Sequence, residues 1–176
     1  VPSLCLIDSG YDADSTYDFC ADNADWALPV KGSSNQMQPH FKLSKINRPD
    51  SKVFGMNLVI VDGDKYKDMI AARMKRQNGR GAWMVYNGCD MEYAQQVTAE
   101  HKVNVKVGTR TIQRWKLKHS HGDNHFLDCE VYALAAADIM GVRSMHLEDT
   151  GDEPGVKRPL DNETDEESWI GQNESW

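Results

Sequence analysis

Apolar residues along the chain fall into short runs divided by polar, Gly- and Pro-marked stretches, and their spacing switches between that of buried strands and that of one-sided helices. Residues 3–8 predict a short buried strand ending in an acid, Asp8, with Ser9-Gly10 as the turn. Asp12 or Asp14 then caps a helix to about Asn23 that carries Tyr17 and Phe19. Residues 26–31 predict a second strand, in which Pro29 points to an edge or an irregular position. Residues 32–51 are polar with Pro39 and Pro49, long enough for a functional or mobile loop. The clearest strand is 56–62, a continuous apolar run rich in β-branched residues. A helix follows from Asp64 to about Gln77, with Met69, Ile70, Arg73 and Met74 at helical spacing. Gly79 to Gly81 breaks the chain, residues 82–86 read as another strand, and 91–100 as a short helix. Residues 102–107 and 110–117 alternate around Val107-Gly108-Thr109, a hairpin signal. Asn124 caps a last helix whose Leu127, Val131 and Leu134 form an apolar stripe, with alanines beside it that permit close packing.

Strands alternating with helices, plus one hairpin, indicate an α/β layered fold with a largely parallel sheet. In such sheets sites gather where strands end in loops at the carboxyl edge, and Asp8 and Asp64 fall at such ends.

Composition narrows the class. The 176 residues suit a single domain with a real core. A hydrophobic content of 40% with 27% charged residues is that of a globular chain, and no run approaches the ~18 apolar residues of a membrane span. The chain opens inside a strand-like run, without an initiator Met or a basic leader, which points to a piece of a longer protein rather than a signal peptide. Cys5, Cys20, Cys89 and Cys129 are far apart and form no CxxC pair, so reduced thiols are expected, Cys5 and Cys129 inside apolar elements. The net charge of −7 is unevenly held: from Glu148 onward ten acids face two bases, which leaves the body up to Leu147 near +1. Residues 1–147 therefore read as the folded portion and 148–176 as an acidic, disordered tail, with Trp169, Ile170 and Trp176 as a docking segment.

The candidate chemistry is carboxylate chemistry. Asp8 ends a strand and Asp128 begins a helix, and two acids from distant parts of the chain are raw material for a Mg²⁺ or Mn²⁺ site. An acid on the buried side of a helix needs a cation or a hydrogen-bond donor, whereas an exposed acid in a first turn only stabilises the helix; both readings of Asp128 stand. The loop bearing His119, His121 and His125 invites a zinc site, but its spacing is no recognised zinc pattern. Bases recur at Lys31, Lys65, Lys67, Arg73, Lys75, Arg76, Arg80, Arg114, Lys116 and Lys118, with Trp83 and Trp115 among them, which suits phosphate contact or simply a solvated surface. Neither GxxxxGK[ST] nor GxGxxG occurs, so no nucleotide-hydrolysing half is present.

Several motifs in order resemble the C-terminal nuclease part of the large terminase subunit of tailed phages, the lambda-like GpA family. They are Ile7-Asp8-Ser9-Gly10, Tyr17 to Cys20, Val30-Lys31-Gly32, Val61 to Asp68 with Arg73, Gln96 to Glu100, Trp115, and Asn124 to Ala136, over about residues 4–140. The resemblance implies an RNase H-like layered fold, with a mixed, largely parallel sheet flanked by helices. It also implies a divalent-metal-dependent endonuclease that cuts concatemeric phage DNA during packaging, in the cytoplasm of an infected bacterial host. On this resemblance Asp8 and Asp128 ligate Mg²⁺ or Mn²⁺, Asp64 supports catalysis, and Lys31, Lys67 and Arg73 contact DNA. The implied partners are double-stranded DNA, the phage portal and procapsid, and the small terminase subunit. The family takes a further acid from a strand that would precede residue 1, so the isolated chain is expected to cut weakly or not at all. Asp123 and His125 stand where the family tends to carry Arg and Glu, which leaves substrate contacts there open. Two rival readings remain: a non-catalytic DNA- or portal-binding module docking through the acidic tail, and a zinc-dependent regulator using the histidine loop.

Overall fold

The structure is a computed structural model that describes residues 2–77 and 81–145; the fold below is that of the unit ending at Ser144. The glycine break at 79–81 falls largely outside the described residues, and so does the acidic tail from Glu148. Six strands and four helices follow one another as β1 (Cys5–Asp8), α1 (Ala13–Asp22), β2 (Ala27–Gly32), β3 (Phe41–Lys45), β4 (Asn57–Val61), α2 (Gly63–Met74), α3 (Met91–Val97), β5 (Glu100–Val107), β6 (Arg110–Leu117) and α4 (His125–Ile139), closed by a short 3₁₀ turn at Val142–Ser144.

The main sheet has the order β1-β2-β4-β3, parallel from β1 to β4 with β3 antiparallel at one edge. It is therefore an α/β fold with a mixed, mostly parallel sheet flanked by helices. β4 reads as a continuous apolar run because both of its faces are covered. Val59 and Val61 join Val30 of β2, Tyr66 and Ile70 of α2, Val97 of α3, and Leu127, Val131 and Ala135 of α4 in the larger core. Met56 and Leu58 face the other way, against a smaller cluster around Tyr17 of α1, Ile46 and Val53. On α4 the buried line runs Leu127, Val131, Ala135, one residue per turn, and the small Ala135 lets the helix sit close to the sheet. Two tyrosines fasten that helix to its neighbours. Tyr66 of α2 donates to Asp138 at 3.0 Å, and Tyr93 of α3 donates to Glu130 at 2.7 Å.

Five features depart from the pattern reading. Pro29 does not put β2 at an edge; β2 lies between β1 and β4. The carbonyls of Trp26 and Val30 face β1 and accept from Cys5 and Ser9, so the two-residue alternation turns the Pro29 nitrogen to the opposite side, where registered pairing with β4 begins only at Val30. The missing N–H thus breaks no rung. Within the supposed loop 32–51, Phe41–Lys45 forms the edge strand β3, whose two apolar residues are too few to mark it by pattern. Residues 82–86 are not a strand. Met84 and Tyr86 are 76% and 71% exposed, and only Trp83 of this run packs on the core, its N–H bonded to the Arg73 carbonyl. Strand propensity without an adjacent sheet edge makes no ladder. Finally Glu100, read as the end of a helix, opens β5 instead, and Cys129 is exposed while Cys20 is the buried thiol, its pKa pushed up to about 11 by burial.

Candidate active site

Asp8 closes β1 at the carboxyl edge, in register with Val30 of β2. Ser9, buried behind it, donates both its N–H and its hydroxyl to the Val30 carbonyl at 2.9 Å, which pins the strand end. The Gly10 N–H then donates to Asp8 Oδ1 at 3.0 Å, and the Thr16 hydroxyl donates to the Asp8 carbonyl at 3.2 Å. A Cβ at Gly10 would lie 3.2 Å from Asp8 Oδ1, close enough to push on that carboxylate. Gly10→Ala is expected to leave stability within about 0.5 kcal/mol, because the exposed carboxylate can give way. If the carboxylate is used where it stands, the same variant should lower DNA cleavage several-fold, and thermal melts paired with plasmid nicking would separate the two effects.

Asp128 lies in the first turn of α4. Asn124 occupies the cap position but makes no side-chain cap bond; its Nδ2 instead donates to Glu100 Oε1 at 2.7 Å and to Asp128 Oδ2 at 3.3 Å. Lys67 of α2 completes the arrangement, with Nζ 2.6 Å from Glu100 Oε1 and 3.2 Å from Asp128 Oδ1. The side chains of Lys67 and Glu100 are only 13% and 5% exposed, so this pair is a buried one, while Asp128 remains open at 41%. Glu100 Oε2 is buried without a hydrogen-bond partner among the described residues. Burial raises the Asp128 pKa above its ordinary value, Lys67 opposes the shift, and the negative charges of Glu100 and Asp8 add to it.

α4 packs against β1, so Asp128 and Tyr132 are carried by the helix that lies on the strand ending in Asp8. Burial raises the Tyr132 pKa first, and the negative charges of Asp8 and Asp128 raise it further. Lys67 of α2 pairs with Asp128 and Glu100.

The other residues singled out by sequence lie elsewhere. Asp64, in the first turn of α2, faces the hairpin: its Oδ1 accepts from the Trp115 N–H at 3.3 Å, and its Oδ2 lies 2.9 Å from Arg114 Nε in an ion pair without hydrogen-bond alignment. It lines a separate polar cavity of about 540 Å³ with Asp62, Asp68, Lys65 and Lys102. Lys31 is exposed on β2, next to the Val30 that registers with Asp8. Arg73 sits in the last turn of α2, six residues past Lys67. His119 and His121 are exposed, and His125 Nε2 is 3.8 Å from Asp123. Glu100, Asn124 and Tyr132 fall within the motifs of the family resemblance but were given no site role from sequence. Tyr132 and Asn124 carry a usable signal, each four residues from Asp128, whereas no spacing ties Glu100 to Asp128.

A divalent ion is the group this arrangement raises. Mg²⁺ takes one or two carboxylates together with waters and substrate phosphate, and the oxygens of Asp8 and Asp128 suit that demand. Among the described residues no set of three His, Cys, Asp or Glu side chains is placed to hold a metal. The residues fit one ion completed by substrate and do not fit an ion caged by protein alone.

The domain is an α/β fold with one carboxylate at the end of a parallel strand and another in the first turn of the helix packed against that strand, a buried lysine paired to the second. Residues 1–147 match the family model described as terminase large subunit gpA, endonuclease domain, and the chain belongs to that family. It is thus a nuclease domain of a DNA-packaging terminase. No curated protein and no solved structure matches the chain. No described helix is long and apolar enough to cross a membrane.

Proposed function

We propose that this chain is the DNA-cutting portion of a phage packaging terminase and hydrolyses phosphodiesters of concatemeric DNA, in the cytoplasm of the infected host, with one Mg²⁺ or Mn²⁺ held between Asp8 and Asp128. The observation that carries the reading is the packing of α4, which bears Asp128 against Lys67, on β1, which ends in Asp8. When bound, such an ion supplies a hydroxide nucleophile near neutral pH and charge stabilisation for the departing oxygen. The chain's own residues do the rest. The Gly10 N–H orients Asp8, Asn124 and Lys67 orient Asp128, and Lys67 offsets negative charge at a rim that must approach a polyanion. Asp64 serves by fixing the hairpin root to α2, and Lys31 and Arg73 offer phosphate contacts outside the carboxylate cluster. An RNase H-like reading of the fold, and the portal and small-subunit partners, follow from the family relation and belong to the same proposal.

The test is cleavage of supercoiled plasmid with Mn²⁺ or Mg²⁺, against EDTA. Asp8→Asn is expected to reduce nicking at least about 100-fold, beyond the 10- to 100-fold typical of residues that only support a metal ligand. Asp8 is exposed, so the fold should be untouched and the melting temperature unchanged. Cleavage that persists in EDTA, or that survives in this variant, would overturn the assignment.

A further inference from the structure

The hairpin of β5 and β6 forms a sheet of its own, separate from the main one. Its root is the Glu100 that shares Lys67 with Asp128, and from there eight paired residues run to a two-residue turn at Gly108-Thr109, with Gly108 at φ +60°. Eight residues at ~3.3 Å each make a ribbon of roughly 26 Å.

Its charge is one-sided. Residues 101–118 hold six Lys or Arg and no acid, within a body that is near +1 up to Leu147. Two of the bases are spent on attachment: Lys102 and the Trp115 Nε1–H engage Asp68, and Arg114 engages Asp64 and the Ser34 carbonyl, so both faces of the root are fastened beside the first turns of α2. Lys106, Arg110, Lys116 and Lys118 are exposed and have no ion-pair partner among the described residues. The register places Asn104 opposite Gln113 and Lys106 opposite Thr111 on one face, all hydrogen-bonding side chains. The other face carries Val103, Val105, Ile112 and the 56% exposed Val107, rimmed by Arg110 and Lys116.

We propose that the distal ribbon, Asn104 to Gln113, is a duplex-DNA contact arm, with Lys106 and Arg110 on phosphates and the polar face toward base edges. The proposal rests on the nuclease reading for the identity of the polyanion. A two-stranded ribbon is narrow enough for the ~12 Å major groove, and uncompensated cations along a rigid arm complement phosphate rather than an apolar protein surface. Lys116 and Lys118 continue the basic track back toward the Asp128 end. The arm holds DNA at a set distance from the carboxylates and cuts nothing itself.

The experiment is binding of the full chain to a fluorescent duplex in EDTA, with salt varied between about 50 and 200 mM. Lys106→Ala with Arg110→Ala is expected to weaken binding about 10- to 100-fold and to flatten the log–log salt slope by about 1.8, the value for two lost phosphate contacts. Lys106→Arg with Arg110→Lys should keep both the affinity and the slope. Lys42→Ala with Lys45→Ala, a pair of equal charge on the exposed edge strand β3, should change the affinity much less. The arm is excluded by unchanged affinity in the first variant, by equal weakening in the β3 pair, or by stronger binding to single-stranded than to duplex DNA. Because no divalent ion is present, binding through the arm is read apart from cleavage; nicking that persists in EDTA or in Asp8→Asn overturns the nuclease reading and leaves the arm standing.

Discussion

Replacing Lys67 by Met is expected to destabilise the domain by about 3–5 kcal/mol, the cost of leaving a buried acid without its cation. Glu100 is almost wholly buried, one of its oxygens already lacks a partner, and the other takes Lys67 and Asn124. Methionine fills the volume and supplies no charge. In a domain of this size the loss corresponds to a drop in melting temperature of roughly 6–20 °C. Changing Glu100→Gln in the same chain removes the stranded charge and should recover most of the loss, so a double-mutant cycle in urea reads the pair directly. A Lys67→Met variant as stable as the parent would mean that the buried pair contributes nothing net. The same variant should move cleavage to higher pH. Lys67 is the group that opposes the upward shift of Asp128, so without it the carboxyl ionises later and the acid limb of the pH–rate profile shifts upward.

Asp128→Asn is expected to abolish cleavage while making the fold no weaker at neutral pH. Folding raises the Asp128 pKa above 3.8, burial being the first cause. The folded state therefore holds this proton more tightly than the unfolded chain does. The carboxyl favours the fold in acid, and that contribution is lost as pH rises through the unfolded and then the folded pKa. Asn cannot ionise, so its stability relative to the parent should improve as pH rises from about 4 through the raised folded pKa, read as urea midpoints. Activity should behave oppositely, with at least about 100-fold less nicking. Mn²⁺ should raise the melting temperature of the parent, by occupying the two carboxylates, and should not raise that of the variant. A Mn²⁺ shift that survives in Asp128→Asn would place the ion elsewhere.

Strong local signals survived into the structure. The apolar run of β4, the cap at Asp12, the turn at Gly108 and the small-residue face of α4 each depend on neighbours a few residues away. Asp8 and Asp128 each lie at an element boundary that their own segments define, but among 27 acids it was the family resemblance that selected them. The misreadings share one cause. Whether Phe41–Lys45 or residues 82–86 becomes a strand depends on whether a sheet edge is at hand, and in this fold β4 offers one to the first while the second only folds back on α2.

What the sequence by itself determined is the layered α/β plan, the hairpin and the split of charge between body and acidic tail; Asp8 and Asp128 were selected by the family resemblance. Only the tertiary structure decided that Lys67 lies between Glu100 and Asp128, that α4 packs on β1, and that Asp64 belongs to the hairpin root. The physical reason is range. Periodicity and capping act within a few residues, whereas a buried charge takes its partner from whatever element the packing brings beside it.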